Sequence, residues 1–150
     1  MLGDPNLAVQ LRTQLKLPVL VGPMFLVSGP DLVIACSQAG VAGSFPTLNA
    51  RSTAILDQWL ARITAELQPD AAPYAANLIV HPTNTRLAED VDLVVKHKSP
   101  LVIASVGHPG RVVAAVKSYG GLVFSDVASL KHAQRAAETE IGRASCRERV

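Results

Sequence analysis

Two places in this chain put side chains where a ligand could use them. The first is LPVLVGPMFLVSG, residues 17–29. Its apolar, β-branched opening at 17–21 reads as a strand buried on both faces. Gly22 and Pro23 end that strand, one by removing a side chain and the other an N–H, which leaves the backbone open to close approach. Met24, Phe25, Leu26 and Val27 follow, apolar where a strand's carboxyl end normally turns polar. Ligands of α/β folds sit at that end, and an apolar lip there suits a flat, partly apolar ring. Met24 has the polarizable sulfur for a ring face, although plain core filling uses the same property. The second place is Asn77, an amide inside the apolar run 74–80. Left unpaired it would cost ~1–3 kcal/mol, so it bonds either a neighbouring strand end or a ligand.

The other chemically able residues carry less. His81 and His108 follow the third and fourth expected strands, on the side where active-site loops belong; a solvated loop histidine is the simpler reading of each. His97 and His132 fall on expected helices and read as surface residues. No histidine pair has metal-ligand spacing with a third partner, so no metal site is expected. Cys36 sits mid-helix among apolar neighbours and reads as a small buried hydrophobe.

The elements that must position these residues alternate regularly. Strands are expected at 17–21, 41–45, 74–80, 101–105 and 122–124, and helices at 30–39, 53–67, 87–98, 111–118 and 129–137. Gly40 is the expected stop of the first helix and Ser52 the cap of the second. In that second helix Ile55, Leu56, Trp59, Leu60 and Ile63 recur at helical spacing, with Trp59 a packing anchor. Five β-α units at a spacing of ~25 residues imply parallel pairing and right-handed crossovers. An open doubly wound sheet fits this pattern, and so does the first five-eighths of a (β/α)8 barrel, which needs about 250 residues. No GxGxxG or GxxxxGK[ST] follows any strand, so neither dinucleotide nor P-loop chemistry is signalled.

Charge and composition exclude several classes. The net charge of +2 resides in the last ten residues, IGRASCRERV, which hold three arginines against one glutamate. The first 140 residues balance at eleven basic and eleven acidic side chains, so no basic patch points to nucleic acid or an anionic membrane. No apolar run is long enough to span a membrane and no secretory signal opens the chain, which makes a cytoplasmic home the expectation. Cys36 and Cys146 make no disulfide framework. The final decapeptide shares neither the periodicity nor the composition of what precedes it. It resembles the translation of a sequencing adapter, so 1–140 is read as barrel and 141–150 as a non-native tail.

Three separated stretches decide between the architectures: LPVLVGPMFLVSGPDLVIACSQAGVAGSFPTLNARS, APYAANLIVHPTN and YGGLVFSDVASLKHAQRAAE. Together they resemble the nitronate monooxygenase family, once named 2-nitropropane dioxygenases, from about residue 17 to residue 138. The resemblance implies a partial (β/α)8 TIM barrel of about five βα units of eight. It also implies FMN across the carboxyl ends of the strands and oxidation of alkyl nitronates of the propionate 3-nitronate type with O2. By position, Pro23, Met24 and Phe25 match the motif that lines the isoalloxazine ring. Asn77 matches the third-strand asparagine whose amide meets the flavin, and Asp126 falls where the fifth strand reaches the site. Ser125 stands where some relatives carry a histidine.

The family's catalytic histidine follows a sixth strand, and the loops that hold the FMN phosphate come later still; neither is matched, so no catalytic residue is assigned. The expectation is therefore the ring-facing half of a flavin site, with weak or no FMN binding, no nitronate oxidation by this chain alone, and a tendency to self-associate through uncovered apolar faces. Two other readings compete: a flavin-dependent NAD(P)H enoyl reductase-like barrel, and a non-enzymatic α/β binding module.

Overall fold

The structure, a computed structural model, describes residues 9, 11, 13–139 and the backbone of 143–146. The elements run α1 (Pro30–Ala39), β1 (Ser44–Pro46), a 3-10 turn (Thr47–Asn49), α2 (Thr53–Glu66), β2 (Ala75–Ile79), α3 (Leu87–Lys96), β3 (Leu101–Ser105), α4 (Gly110–Lys117), β4 (Leu122–Val127), α5 (Leu130–Ala137) and β5 (Arg143–Cys146). All five strands pair in parallel in the order of the chain, β1 through β5. Successive neighbours in one direction, each joined by a helix, are the layout of a barrel; a doubly wound sheet would reverse its order. The chain is a partial (β/α)8 barrel.

Local signals explain the helices. Ser52 caps α2 through its hydroxyl, which accepts from the Ile55 amide at 3.2 Å, and Ser129 caps α5 in the same way. Pro30 opens α1 with the fixed φ of a first turn. Gly40 closes α1 in the left-handed region, φ 94°. A Cβ on Gly43 would lie 2.7 Å from the Val33 carbonyl oxygen, so α1 lies against the sheet only because this residue has no side chain.

The core is layered on both faces of the sheet. On the helix side, Val33, Phe45, Leu56, Leu60, Ile63, Leu78, Val94, Val102, Val112 and Val116 are buried together. Each such side chain contributes ~1.5–3 kcal/mol on burial. Trp59 anchors α2 as expected, meeting Phe45 edge-on with ring centroids 5.9 Å apart. On the opposite face, the inside of the incipient barrel, Ala42, Ala75, Leu101 and Ile103 cluster with Leu11, Leu15, Leu122 and Phe124.

Three expectations are corrected. The segment 17–21 makes a single parallel bridge, Leu20 to Ala42, with Val21 N–H to Ala42 O at 2.8 Å and Ala42 N–H to Val19 O at 3.0 Å. Leu17, Val19 and Leu20 are exposed, because among the described residues no strand covers the other edge. The fifth expected strand runs on to Val127: Val123, Ser125 and Val127 alternate toward the helices while Leu122, Phe124 and Asp126 face inward, half-buried. On its far side that strand pairs with Arg143–Cys146, where the expectation of uncovered faces puts nothing beyond it. An open parallel edge has backbone groups to offer any chain, so this pairing is compatible with a foreign tail. No helix among the described residues is long and apolar enough to cross a membrane.

Candidate functional site

The register of the sheet sets the inner face out in layers. Ser44, Ala75, Leu101 and Leu122 form one; Pro46, Asn77, Ile103 and Phe124 form the next, nearer the carboxyl ends. Beyond these, Ile79 lies opposite Ser105, and Asp126 is the inward residue one step past the Ala104–Ser125 pair. The turn that begins at Met24 is tied to the same end of the sheet by the side chain of Asn49, which closes the 3-10 turn following β1. The rim therefore gathers Asn77, Ser105 and Asp126 with the turn at 23–28.

Asn77 is 3% exposed. Its amide nitrogen donates to the Ile103 carbonyl at 2.9 Å and to Ser105 Oγ at 2.8 Å. The buried amide is satisfied on its donor side by the neighbouring strand, one of the two fates its position demanded. Ser105, 7% exposed, was missed from sequence. Its partner lies 28 residues away, and only the register brings the two together.

The turn after Pro23 is held by another residue the sequence does not flag. Asn49, at the end of the 3-10 turn after β1, accepts from the Leu26 amide at 3.1 Å and donates to the carbonyls of Met24 at 3.0 Å and Ser28 at 2.8 Å. Ser28 is buried, and its hydroxyl closes the turn by accepting from the Met24 amide at 3.0 Å. Ser44 Oγ donates to the Val21 carbonyl just upstream. Clamped in this way, the turn displays Met24, Phe25, Leu26 and Val27 outward; Leu26 is 95% exposed. Leu26 also adopts φ 64° and Val106, after β3, φ 59°. Such left-handed backbone is strained for non-glycine residues, most of all a β-branched one. Both strained residues are apolar, exposed and at the carboxyl rim.

Asn49 is steadied from behind. Arg86 donates to the Ala50 carbonyl at 2.7 Å and the Thr47 carbonyl at 3.4 Å, and pairs with fully buried Asp90 at 2.9 Å.

The histidines make their contacts with other residues. His81 contacts Thr83 Oγ1 at 2.8 Å and His108 accepts from the Gly110 amide at 3.3 Å; both are exposed loop residues. His132 is exposed, whereas His97, expected on the surface, has a side chain only 13% exposed and meets Asp57 at 2.6 Å. Cys36 is half-buried. No group of three metal-ligating side chains occurs among the described residues. At the opposite end of the sheet, Tyr74 and Tyr119 both bond Ser99. Burial pushes both phenols up, which keeps them protonated near neutrality.

The same fold occurs in solved structures. FabK from Thermotoga maritima superposes with a TM-score of 0.79 at 22% identity, over 91% of this chain and 42% of that one. The enoyl reductase domain of MlnA, from the macrolactin biosynthesis cluster of Bacillus amyloliquefaciens, gives 0.75 at 22% identity over 89% and 33%. Nitroalkane oxidase from Streptomyces ansochromogenes gives 0.75 at 16% identity over 87% and 46%. The chain spans less than half the length of each of these. No protein-family profile and no curated protein matches it.

Proposed function

We propose that this chain is the amino-terminal part of an FMN-dependent oxidoreductase that oxidises alkyl nitronates of the propionate 3-nitronate type, with O2 as electron acceptor. The observation that supports the reading most is the rim: an exposed apolar turn at 24–27, clamped by Asn49 just past β1, lies toward the same end of the sheet as the buried amide of Asn77. A ring that is apolar on its face and polar along one edge fits both. When bound, a flavin supplies the two-electron chemistry and its reoxidation by oxygen. Pro23, Met24 and Phe25 are assigned to cover the ring face and exclude water, Asn77 to meet its polar edge, and Asp126 to stand beside it on the inner face. The fold shared with a nitroalkane oxidase supports the redox reading.

The fold is equally shared with an enoyl reductase domain, which favours a second reading, reduction of enoyl substrates by NAD(P)H through the same flavin. The two separate by assay of a polypeptide that continues this chain to a closed barrel. Oxygen uptake with propionate 3-nitronate and FMN supports the oxidase. Nicotinamide consumption with an enoyl thioester, without nitronate turnover, overturns it. The 150-residue chain alone is expected to turn over neither.

A further inference from the structure

The two parts of the candidate site belong to different strands. The turn 24–27 follows the segment that bridges to Ala42, and Asn77 lies on β2, with β1 between them. A continuous run of polar contacts joins them outside the sheet ladder. It starts at Ile79, the last residue of β2, whose carbonyl accepts from Asn84 Nδ2 at 2.8 Å. Asn84 Oδ1 accepts in turn from the Arg86 amide at 3.1 Å. The Arg86 guanidinium then reaches the 3-10 turn, donating through Nη1 to the Ala50 carbonyl at 2.7 Å and through Nη2 to the Thr47 carbonyl at 3.4 Å. Those two carbonyls flank Asn49, whose side chain makes three bonds to the turn 24–28. One carboxylate fixes the guanidinium: Asp90 Oδ1 accepts from Arg86 Nε at 3.3 Å and from Nη2 at 2.9 Å. Asp90 is fully buried, and its Oδ2 has no partner among the described residues. Such a pair is a poor source of stability, since apolar residues of similar volume often do as well or better. What it supplies is geometry, a planar fork that holds a carboxylate and two carbonyls at once.

We infer that Arg86 is a positioning residue: through Thr47, Ala50 and Asn49 it sets where the apolar turn 24–27 stands relative to β2. The inference rests on the flavin reading for what the turn binds; the hold on the turn belongs to this chain alone. The turn needs that hold. Its four apolar side chains are exposed, so burial does not fix it, and Leu26 keeps a left-handed φ of 64°. A strained segment persists only where its surroundings over-determine it. Lysine would not replace the arginine here. Its single ammonium can pair with Asp90 but cannot hold the carboxylate and both carbonyls in one fixed plane. Arg86→Lys therefore separates the charge, which it keeps, from the fork, which it removes.

The test compares Arg86→Lys with the unaltered chain by urea unfolding, by hydrogen exchange and by titration with lumiflavin, the bare ring system of a flavin. The Leu26 amide reports the turn, because its acceptor is Asn49 Oδ1. The Leu101 amide, bonded to the Tyr74 carbonyl at 3.2 Å, reports the sheet. Arg86→Lys is expected to unfold close to the urea midpoint of the unaltered chain. Its Leu26 amide is expected to exchange about tenfold faster with Leu101 unchanged, and lumiflavin to bind about tenfold more weakly, the equivalent of one lost hydrogen bond. Equal exchange at Leu26 in the two chains overturns the inference. So does faster exchange at Leu26 and Leu101 alike, which marks a residue that only stabilises the fold. Should Arg86→Lys fail to fold, Asn84→Ala cuts the same run at its β2 end and leaves the ion pair in place. Faster exchange at Leu26 alone then supports the inference, and unchanged exchange overturns it. Equal lumiflavin affinity of the unaltered chain and Arg86→Lys overturns the role in binding while leaving the flavin reading in place. No binding by the unaltered chain overturns the flavin reading, and Leu26 exchange still decides whether Arg86 holds the turn.

Discussion

Leu26 is almost wholly exposed, apolar and held in left-handed backbone, three features that stability alone would remove. Leu26→Gly relieves the backbone strain and is expected to stabilise the chain by roughly 0.5–1 kcal/mol in urea unfolding, net of glycine's greater unfolded-state entropy. If the turn serves a ligand, the same change weakens flavin-ring binding. A variant that gains stability and binds as before would make the turn incidental. Asn49→Ala removes three hydrogen bonds to the turn and is expected to cost about 1–2 kcal/mol, given the partial exposure of those bonds. It should also speed hydrogen exchange at the Leu26 amide relative to the strands. Unchanged exchange there would remove Asn49 as the clamp. Neither Asn49 nor Ser105 was legible in the sequence, because each works through partners more than twenty residues away that only strand register brings near. Asn77 was legible, since an amide in an apolar strand has to be accounted for locally.

Between elements, Arg86 ties the start of α3 to the turn after β1, and Asp57 ties α2 to the end of α3. Arg86 and Asp90 lie at the start of α3 and hold the backbone that carries Asn49. Arg86→Ala leaves Asp90 buried without its cation and is expected to destabilise by about 3 kcal/mol, measured by thermal or urea unfolding. A loss below ~1 kcal/mol would mean the pair does not brace the rim. Asp57 on α2 meets Lys96 and His97 at the end of α3. Hydrogen bonds from Lys96 first, then His97, hold the Asp57 carboxyl below its usual 3.8. A lowered carboxyl pKa contributes stability that is fully present above the unfolded value. That stability is lost as pH falls from there through the folded one. Unfolding followed between pH 5 and pH 2 should therefore show an acid loss that is reduced in Asp57→Asn; identical acid limbs would contradict the clamp. At this scale the sequence was informative wherever the signal was local: the Ser52 cap, the Gly40 stop and the α2 core stripe of Leu56, Leu60 and Ile63. It misjudged 17–21, whose apolar run promised two-sided burial that depends on a neighbouring strand. It stopped β4 short because Ser125 and Asp126 are polar, although alternation lets a strand continue with Asp126 turned inward.

For the whole molecule, the geometry is that of a barrel wall with one edge open at 17–21 and apolar side chains along it. Such an edge recruits other strands, so the chain is expected to associate with rising concentration in light scattering; a stable monomer across the range would argue against an unclosed barrel. Cooperative unfolding of that monomer would favour the binding-module reading. The fold class was legible from the β-α rhythm only once the resemblance chose the barrel over the open sheet, because periodicity is common to both. A flavin site here requires above all that Met24 and Asn77 face one ligand from two sides of the rim. Met24 is one of only two methionines, so methyl labelling gives it a resonance of its own. On titration with lumiflavin, the Met24 methyl and the Asn77 side-chain amide are predicted to shift together along one binding curve. Shifts at only one of the two, or curves that do not coincide, would contradict a shared flavin site.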